Sequence, residues 1–493
     1  MLSKLVVIVV FCISIFKMYS QNTPQRPNII WLMAEDISLD LATYGMPAVQ
    51  TPHLDKMAND GIQFNNCFVT NPICSPSRSA MILGAHQQLT NTRHHRSNRD
   101  VVLSKPFVPF TKLLREAGYT TILGHSGVMG KGRKIDVNFK HHALGPWDGE
   151  DNFGLFDKFD EFLPADAPFF AQIQLMATHR GDWWDDIREK SKHPVDPDKV
   201  IMPPYLADDP IIRLDWAKYL DQIEYMDNEV GMLLDELERK GLTENTVVIF
   251  IGDNGRCNIR GKGYLHDSGL RIPLLVKWPN GIMSGQIDNR VISATDITAT
   301  IVDVAGIEIP DFMTGKSFLK EDFDRTEVFA SRDLWDEIPE KSRAITTKKL
   351  KYIRNYKTEI PFDAHQAYLE FYRPAVHVMR RLKKEGKLNA NELLFFGEKP
   401  KEELYDLEQD PHELNNLILD SDYVEELADM QRRILDYDID FTPISSEYRP
   451  VPPESVDLLQ WIVKERPKDY ERMLAGEEIG FGKMMKVFYT QKK

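Results

Sequence analysis

The feature that most constrains the fold of this 493-residue chain is a set of short apolar runs that stop at polar side chains. The runs cover residues 28–34, 119–123, 169–176 and 246–251. They are short for helices and predict buried parallel strands. Before the last run, residues 214–240 repeat apolar side chains at helical spacing up to Gly241. This alternation predicts a mostly parallel sheet with helices on both faces.

Polar residues follow two of these predicted strands almost at once. Glu35 and Asp36 come after the first run, and Asp253 and Asn254 come after the run 246–251. One such residue alone is typical of a turn or a helix cap, but ligands in parallel sheets bind beyond the carboxyl ends of strands. Two strand ends that supply only oxygen atoms indicate a hard cation, Ca²⁺ or Mg²⁺, rather than thiol-bound zinc.

A cysteine motif gives a second functional signal. Its sequence is Cys74-Ser75-Pro76-Ser77-Arg78. Proline is favoured in the first turn of a helix, so Cys74 is predicted to lie at a helix N-terminus, where N–H groups favour an anion. Arg78, one turn further on, carries a forked donor suited to oxyanions. The alternative interpretation is a buried structural cysteine before an ordinary helix.

With this motif the chain resembles the type I sulfatase family, whose signature is Cys-x-Pro-Ser-Arg. Similar segments extend over most of the chain and include residues 26–28, 51–55, 61–64, 252–255, 262–263, 269–273, 296–300 and 403–416. The resemblance is closest to the heparan N-sulfatase (sulfamidase) branch, and related bacterial enzymes act on algal polysaccharides such as ulvan. It implies an α/β fold with an alkaline-phosphatase-like, mostly parallel sheet sandwiched by helices. A smaller C-terminal α+β subdomain is built on an antiparallel sheet.

The resemblance implies a sulfatase that removes sulfate from a sulfated oligosaccharide or polysaccharide, of ulvan or heparan type. In this family a separate formylglycine-generating or sulfatase-maturating enzyme converts the cysteine, here Cys74, to formylglycine (3-oxoalanine). The hydrated aldehyde is then the nucleophile. The resemblance also implies one Ca²⁺ ion per chain, with Mg²⁺ the less favoured ion. Its predicted ligands are Glu35, Asp36, Cys74, Asp253 and Asn254.

Three further side chains receive catalytic roles from the resemblance. Arg78 supports the hydrated aldehyde, Lys262 stabilises the sulfate charge, and His179 donates a proton to the leaving oxygen or nitrogen. Glu35 stands where the family usually has Asp. It offers the same oxygens on a side chain one methylene longer.

A more serious departure from the family follows the run 119–123. The family usually has Gly-Lys-x-His there, with both polar side chains in the site. In this chain Gly124 is followed by His125, which takes the lysine position if the alignment has no gap. We therefore predict His125 as a catalytic residue, with Lys131 of the same loop as the alternative. The usual histidine has no clear counterpart.

A basic run after the cysteine motif and the residues beside His179 are predicted to bind substrate. Local positive charge can offset the repulsion between an anionic substrate and a chain of net charge −14. An aromatic ring beside His179 offers a platform for a sugar. The alternative for the basic run is a solvated loop, and the alternative for the aromatic ring is ordinary packing. The predicted substrate-binding residues are Arg93, His94, His95, Arg180 and Trp183.

The N-terminus predicts export. Lys4 precedes the apolar run 5–16, a pattern typical of a secretory signal and too short to span a bilayer. We expect cleavage after Ser20 and a periplasmic or secreted protein, since no later segment is long and apolar enough to be transmembrane. The predicted parts are a signal peptide at 1–20, a catalytic domain at 21–340 and a C-terminal subdomain at 341–493.

Two other functions are compatible with the sequence. Phosphonate or phosphodiester hydrolases of the same superfamily share the fold, the metal site and even the cysteine motif. The incomplete Gly-Lys-x-His pattern is also compatible with a glycan-binding homologue that has lost catalysis. The acidic net charge argues against nucleic acid as a partner, and four cysteines are too few for a disulfide framework.

Overall fold

The computed structural model describes residues 26–281, 283–441 and 454–491. Two sheets hold most of its strands. The strands are β1 (Asn28–Ala34), β2 (Ile62–Phe68), β3 (Thr120–Leu123), β4 (His142–Leu144), β5 (Gly154–Phe156), β6 (Lys158–Phe159), β7 (Phe169–Leu175), β8 (Thr246–Gly252), β9 (Arg271–Lys277), β10 (Gln286–Ser293), β11 (Glu327–Trp335), β12 (Ile338–Thr347), β13 (Leu350–Asn355) and β14 (Glu402–Asp406).

Helices cover both faces of the larger sheet, and others pack in the C-terminal part. The helices are α1 (Pro52–Asn59), α2 (Cys74–Leu83), α3 (Phe110–Glu116), α4 (Trp183–Lys190), α5 (Pro210–Arg239), α6 (Asp267–Leu270), α7 (Ala294–Val304), α8 (Ala367–Tyr372), α9 (Pro374–Lys384), α10 (Ala390–Leu393), α11 (Val424–Asp440), α12 (Glu454–Glu465), α13 (Pro467–Leu474) and α14 (Phe481–Gln491).

The larger sheet has eight strands in the order β10-β2-β9-β8-β1-β7-β3-β6. The central strand β1 pairs in parallel with both β7 and β8, and β3 pairs in parallel with β7 and β6. The strand β9 runs antiparallel between β2 and β8. The predicted mostly parallel sheet is therefore confirmed, and the carboxyl ends of β1, β3, β7 and β8 lie along one edge.

Alternation along β1 shows how the sheet is sandwiched. Successive side chains of a strand point to opposite faces. Ile29, Trp31 and Met33 belong to a core that also contains residues of α2, α3 and α7. The remaining residues of the strand, Ile30, Leu32 and Ala34, belong to a second core with residues of α1, α5 and α9.

The predicted elements differ from the observed ones mainly at their ends. The long helix begins at Pro210 rather than at residue 214, because Asp209 accepts the N–H of Ile211 and caps its N-terminus. The predicted strand 246–251 extends by one residue to Gly252. The strand in the run 119–123 begins at Thr120.

The C-terminal part contains the predicted antiparallel sheet. Its order is β11-β12-β13-β14, with α11 packed on one face through Met430 and Ile434. The helices α12, α13 and α14 form a separate apolar cluster with Phe371 of α8. The predicted boundary between the catalytic domain and the C-terminal subdomain, at position 340, lies inside β12. The antiparallel sheet itself already begins at Glu327.

The predicted signal peptide at 1–20 lies outside the described residues. Among the helices that the structure describes, none has the length and apolarity needed to cross a membrane.

Candidate active site

The ends of β1 and β8 bring the predicted metal ligands side by side. These parallel strands pair with Ala34 opposite Gly252, so the residues that follow them are neighbours. The N–H of Asp36 donates to Asp253 Oδ1 at 3.0 Å, and Asn254 Nδ2 donates to Asp36 Oδ1 at 3.0 Å. Asp36 has a φ of 48°, an uncommon backbone conformation for a residue other than glycine and one often found at functional sites.

The helix α2 begins at Cys74 and points its N-terminus at this pair of loops. The Cys74 thiol lies 3.8 Å from Asp36 Oδ1, and the Ser77 hydroxyl donates to the carbonyl oxygen of Asp253 at 2.6 Å. Burial raises the pKa of the Cys74 thiol to about 12. An unmodified cysteine here is therefore protonated at neutral pH, unlike a reactive catalytic thiolate.

Two buried cationic side chains form ion pairs with the carboxylates of these loops. Arg78 Nε lies 2.9 Å from Asp253 Oδ2, and its Nη2 lies 2.8 Å from the same oxygen. Lys262 Nζ donates to both oxygens of Asp36, at 2.7 and 2.9 Å. Burial opposes the charge on Asp36, but Lys262 outweighs it and lowers the pKa of this carboxyl below its usual range.

A third cation comes from the long loop after β3. Lys134 Nζ donates to Glu35 and lies 3.7 Å from a carboxylate oxygen of Asp136. Lys134 and Asp136 are two residues apart, which is the spacing of Lys and His in the family's Gly-Lys-x-His pattern. This spacing is the signal that could have identified Lys134 from the sequence.

The predictions of His125 and of its alternative Lys131 as site residues are corrected by this geometry. His125 Nε2 lies 3.2 Å from Glu236, and its ring packs on Phe162 with 5.4 Å between centroids. Lys131 is exposed. Neither residue contacts the group around Cys74, because the chain continues for ten residues beyond β3 before Lys134 reaches the site.

His179 follows β7 and faces Glu35. Its Nδ1 lies 2.9 Å from the carbonyl oxygen of Arg180, and its Nε2 lies 3.7 Å from Glu35 Oε2. A carbonyl oxygen only accepts, so Nδ1 carries the proton and the lone pair of Nε2 faces the site. Burial, together with Lys134, lowers the pKa of His179 to about 3.

The chemistry of these donors fits a hard divalent cation. Glu35 Oε1 and Asn254 Oδ1 are buried and have no hydrogen-bond partner among the described residues. A buried unpaired oxygen is costly, and coordination of a cation would satisfy it. Each of the three carboxylates here is instead drawn to its own side-chain cation: Glu35 to Lys134, Asp36 to Lys262 and Asp253 to Arg78.

A different acidic group lies outside the set around Cys74. The ligand atoms of Asp363, His365 and Glu370 fall within 4.8 Å of one another. Arg380 donates to Asp363 at 2.8 Å and to Glu370 at 2.8 Å. Because Arg380 already pairs with both carboxylates, we interpret the group as an ion-pair cluster.

Arg180 is not available to bind substrate, which corrects its predicted role. Its guanidinium is buried, pairs with both oxygens of Asp215 and packs over the ring of Trp184 at 4.1 Å. Trp183, also predicted to bind substrate, has its ring 6.5 Å from that of His179 and close to parallel with it. Trp183 therefore lies beside the site, whereas the Arg180 side chain is taken up by Asp215 of α5.

The basic run after α2 divides into two parts. His95 is buried, and its Nδ1 lies 2.9 Å from the Ser75 hydroxyl, next to Cys74. The N–H of Leu334 in β11 donates to His94, and Arg93 is also largely buried. Of the three predicted residues, His95 makes contact with the N-terminus of α2.

Tyr368 of α8 joins the site from the C-terminal part and was not predicted. Lys262 Nζ lies 5.7 Å from the centre of its ring, and the ring of His179 lies 6.3 Å away. Its hydroxyl is buried without a hydrogen-bond partner in the described part of the chain. A tyrosine more than 180 residues from His179 gives no local sequence signal for this position.

An alkaline-phosphatase-like sheet whose edge joins a Cys-x-Pro-Ser-Arg helix to paired carboxylate loops defines a hydrolase of the sulfatase type. A family model described as Sulfatase matches residues 27–307, and one described as N-sulphoglucosamine sulphohydrolase, C-terminal, matches residues 255–362. The chain therefore belongs to the sulfatase family and is a sulfuric ester hydrolase.

Individual proteins support this assignment. An ulvan-active sulfatase of Formosa agariphila is 30% identical over 83% of this chain and 74% of its own length. The N-sulphoglucosamine sulphohydrolase of Homo sapiens is 27% identical over 83% of this chain and 89% of its own length. A solved protein in complex with its substrate D-glucosamine-2-N,6-O-disulfate shares the fold, with a TM-score of 0.57 and 17% identity over 85% of this chain and 98% of its own.

Proposed function

We propose that this enzyme releases sulfate from a sulfated polysaccharide or its oligosaccharides, of ulvan or heparan type. The observation that carries the proposal is the start of α2, where Cys74 lies against Asp36 and beside the buried cations Arg78 and Lys262. Relatives named for activity on ulvan and on N-sulphoglucosamine support a sulfated sugar as the substrate.

Two groups added to the chain supply part of the chemistry. Formylglycine made from Cys74 by a maturating enzyme provides, when hydrated, a hydroxyl nucleophile that a buried protonated thiol does not. A Ca²⁺ ion held by Glu35, Asp36, Asp253 and Asn254 would polarise a sulfate oxygen. The buried oxygens of Glu35 and Asn254 that lack partners support this ligand set.

Three side-chain cations receive the negative charge of the sulfate group. Arg78, Lys134 and Lys262 each hold a carboxylate of the site, so they are fixed in position before substrate binds. Preorganised donors in a buried site stabilise developing charge more effectively than mobile ones. We assign Lys134 the role that the sequence had given to His125.

His179 protonates the leaving oxygen or nitrogen in this proposal. In the free enzyme its depressed pKa keeps the ring neutral, with the lone pair of Nε2 facing the site. An anionic sulfate beside Nε2 favours the protonated ring and raises this pKa. The Tyr368 hydroxyl, which has no other partner among the described residues, donates a hydrogen bond to the same end of the substrate.

We further propose that the chain is exported through the signal peptide at 1–20 and acts in the periplasm or outside the cell. The domain at 21–340 carries the catalytic groups, and the part at 341–493 closes one side of the site. Tyr368 supports this division, because it reaches Lys262 and His179 from the C-terminal side.

The test is sulfate release from ulvan, heparan, carrageenan and fucan oligosaccharides, by protein whose mass confirms formylglycine at position 74. We expect release from at least one of them and its loss in Cys74→Ala. Cys67→Ala is the matched control, because Cys67 is equally buried but lies in β2. Faster turnover of an aryl phosphodiester than of an aryl sulfate, or sugar binding without release, would overturn the proposal.

A further inference from the structure

The loop between α2 and α3 presents two arginines that converge on one carboxylate. Arg96 Nε and Nη2 each lie 3.4 Å from an oxygen of Asp136, and Arg99 Nη2 donates to the same carboxylate. Lys134 Nζ lies 3.7 Å from it as well. Three cations therefore surround one carboxylate, and the group has an excess of positive charge on a chain of net charge −14.

This cluster adjoins the proposed nucleophile. The backbone N–H of Arg96 donates to the Ser75 hydroxyl at 3.0 Å, and Ser75 directly follows Cys74. On the other side, Lys134 connects Asp136 to Glu35 in the group of metal ligands. Hydrogen bonds and ion pairs thus hold the two arginines beside the N-terminus of α2 and the proposed metal ligand Glu35.

The arginines are accessible although their partner is not. Their side chains are 47% and 44% exposed for Arg96 and Arg99, whereas Asp136 is only 5% exposed. Arg96 Nη1 and Arg99 Nε make no hydrogen bond within the residues that the structure describes. A guanidinium has five N–H donors, so each side chain keeps donors that can turn to a ligand.

One more carboxylate faces this cluster. Asp336, at the turn between β11 and β12, lies 3.5 Å from His95 and accepts a hydrogen bond from Gln366 at 2.6 Å. Burial raises the pKa of Asp336 to about 6. Asp336 is buried and already has partners in Gln366 and His95. The exposed N–H groups of Arg96 and Arg99 therefore remain the donors of this cluster that face solvent.

We propose that Arg96 and Arg99 form a subsite for an oxyanion on the sugar next to the one that loses sulfate. The oxyanion is a uronate carboxylate or a second sulfate ester, since both present oxygens that a forked donor can bind. The inference rests on the proposed function and deepens it. It assigns the enzyme an oligosaccharide in which acidic groups stand on adjacent residues.

The experiment compares three sulfated disaccharides that differ only on the neighbouring sugar. One carries a free carboxylate, one its uncharged methyl ester and one a second sulfate. Arg96→Gln, Arg99→Gln and the double variant keep the backbone N–H that binds Ser75. Arg133→Gln is the matched control, because Arg133 is a half-exposed arginine of the nearby loop paired with Asp160.

We expect each single variant to raise KM for the carboxylate and disulfated substrates about five- to tenfold, the scale of one hydrogen bond. The methyl ester and the Arg133→Gln control should change less than twofold. The carboxylate and disulfate arms show which oxyanion the subsite takes. Equal KM changes on charged and esterified substrates would overturn the inference.

A binding measurement separates this inference from the proposed function. Cys74→Ala cannot turn over, so calorimetry reports affinity alone for the charged and esterified disaccharides. Tighter binding of the charged forms, lost when Arg96→Gln and Arg99→Gln are added, supports the subsite even if no sulfate is released. No preference for the charged forms would contradict the subsite whatever the activity.

Discussion

The loops that follow β1 and β8 contrast with the loop that follows β3, although all three deliver groups to one site. Asp36 and Asp253 come within two residues of a strand and are fully buried. Lys134 lies eleven residues past β3, and its side chain is 26% exposed. The register of neighbouring strands positions the first two residues, whereas a long loop needs anchors of its own.

Those anchors are visible at both ends of the β3 loop. The carboxylate of Glu229 in α5 accepts the N–H of Met129 at 2.6 Å. Further on, the N–H of Asn138 donates to the Ser79 hydroxyl of α2 at 2.9 Å. Lys134 is held between a helix on one face of the sheet and the helix of Cys74 on the other.

The sharpest test of this contrast substitutes, one at a time, the two residues that could fill the position of the family's active-site lysine. Lys134→Met should lower kcat/KM for sulfate release about 10²- to 10³-fold, the usual cost of losing one preorganised donor to developing charge. His125→Gln, at the strand end, should stay within about threefold. Steady-state kinetics on one sulfated sugar, with formylglycine content matched by mass, measures both effects.

The opposite ranking of the two variants would contradict the assignment of Lys134 to the site. A large loss in His125→Gln with a small one in Lys134→Met would show that position along the chain after the strand, and not the contact with Glu35, selects the site residue. Far-ultraviolet circular dichroism of both variants checks that neither loss comes from unfolding.

Much of this site was predictable because the sheet places it. The grouping of Glu35, Asp36, Asp253 and Asn254 was predicted from two strand ends, and the parallel order of β1 and β8 requires them to meet. The start of α2 at Cys74 followed from one proline. Local rules settle such positions.

The remaining groups depend on contacts that no local rule contains. The path of the β3 loop is decided by Glu229 and Asn138, and Tyr368 arrives from another part of the chain. Arg180 carries the forked donor expected of a group that binds an anionic substrate, but it pairs instead with Asp215 of α5. The strands could be predicted because they follow local apolar patterns in the sequence. Ion pairs between distant residues leave no such pattern, so the positions of these side chains could not be predicted.

A second test concerns the anchor at Glu229. Burial raises the pKa of this carboxyl from 4.5 to about 7. The folded state therefore holds its proton at pH values where the unfolded chain has lost it, and stability falls as pH rises from about 4.5 to about 7. Glu229→Gln keeps an oxygen for the Met129 N–H but removes this charge. We expect it to stabilise the fold by about 3 kcal/mol at pH 8.

Chemical unfolding of both proteins at two pH values measures the difference. Near pH 5 the gain should shrink to below about 1 kcal/mol, because the folded carboxyl is then protonated and this pH lies only about half a unit above the pKa of the unfolded chain. An equal gain at both pH values would mean that the variant acts through packing and not through the buried charge.

The smallest effect tests whether the C-terminal part does more than cover the site. Tyr368→Phe removes a hydroxyl that has no partner among the described residues. We therefore expect the fold to stay intact while the proposed hydrogen bond to substrate is lost. We expect kcat for a sugar sulfate to fall about tenfold, the cost of one such bond. For an aryl sulfate, whose leaving group needs little help from a proton donor, kcat should fall less than threefold.

Tyr372→Phe, whose ring packs on Tyr368 with 4.9 Å between centroids, is the matched control and should change neither rate. Equal losses on both substrates would instead assign Tyr368 to packing, and the proposed catalytic groups would then all precede the C-terminal sheet in the chain.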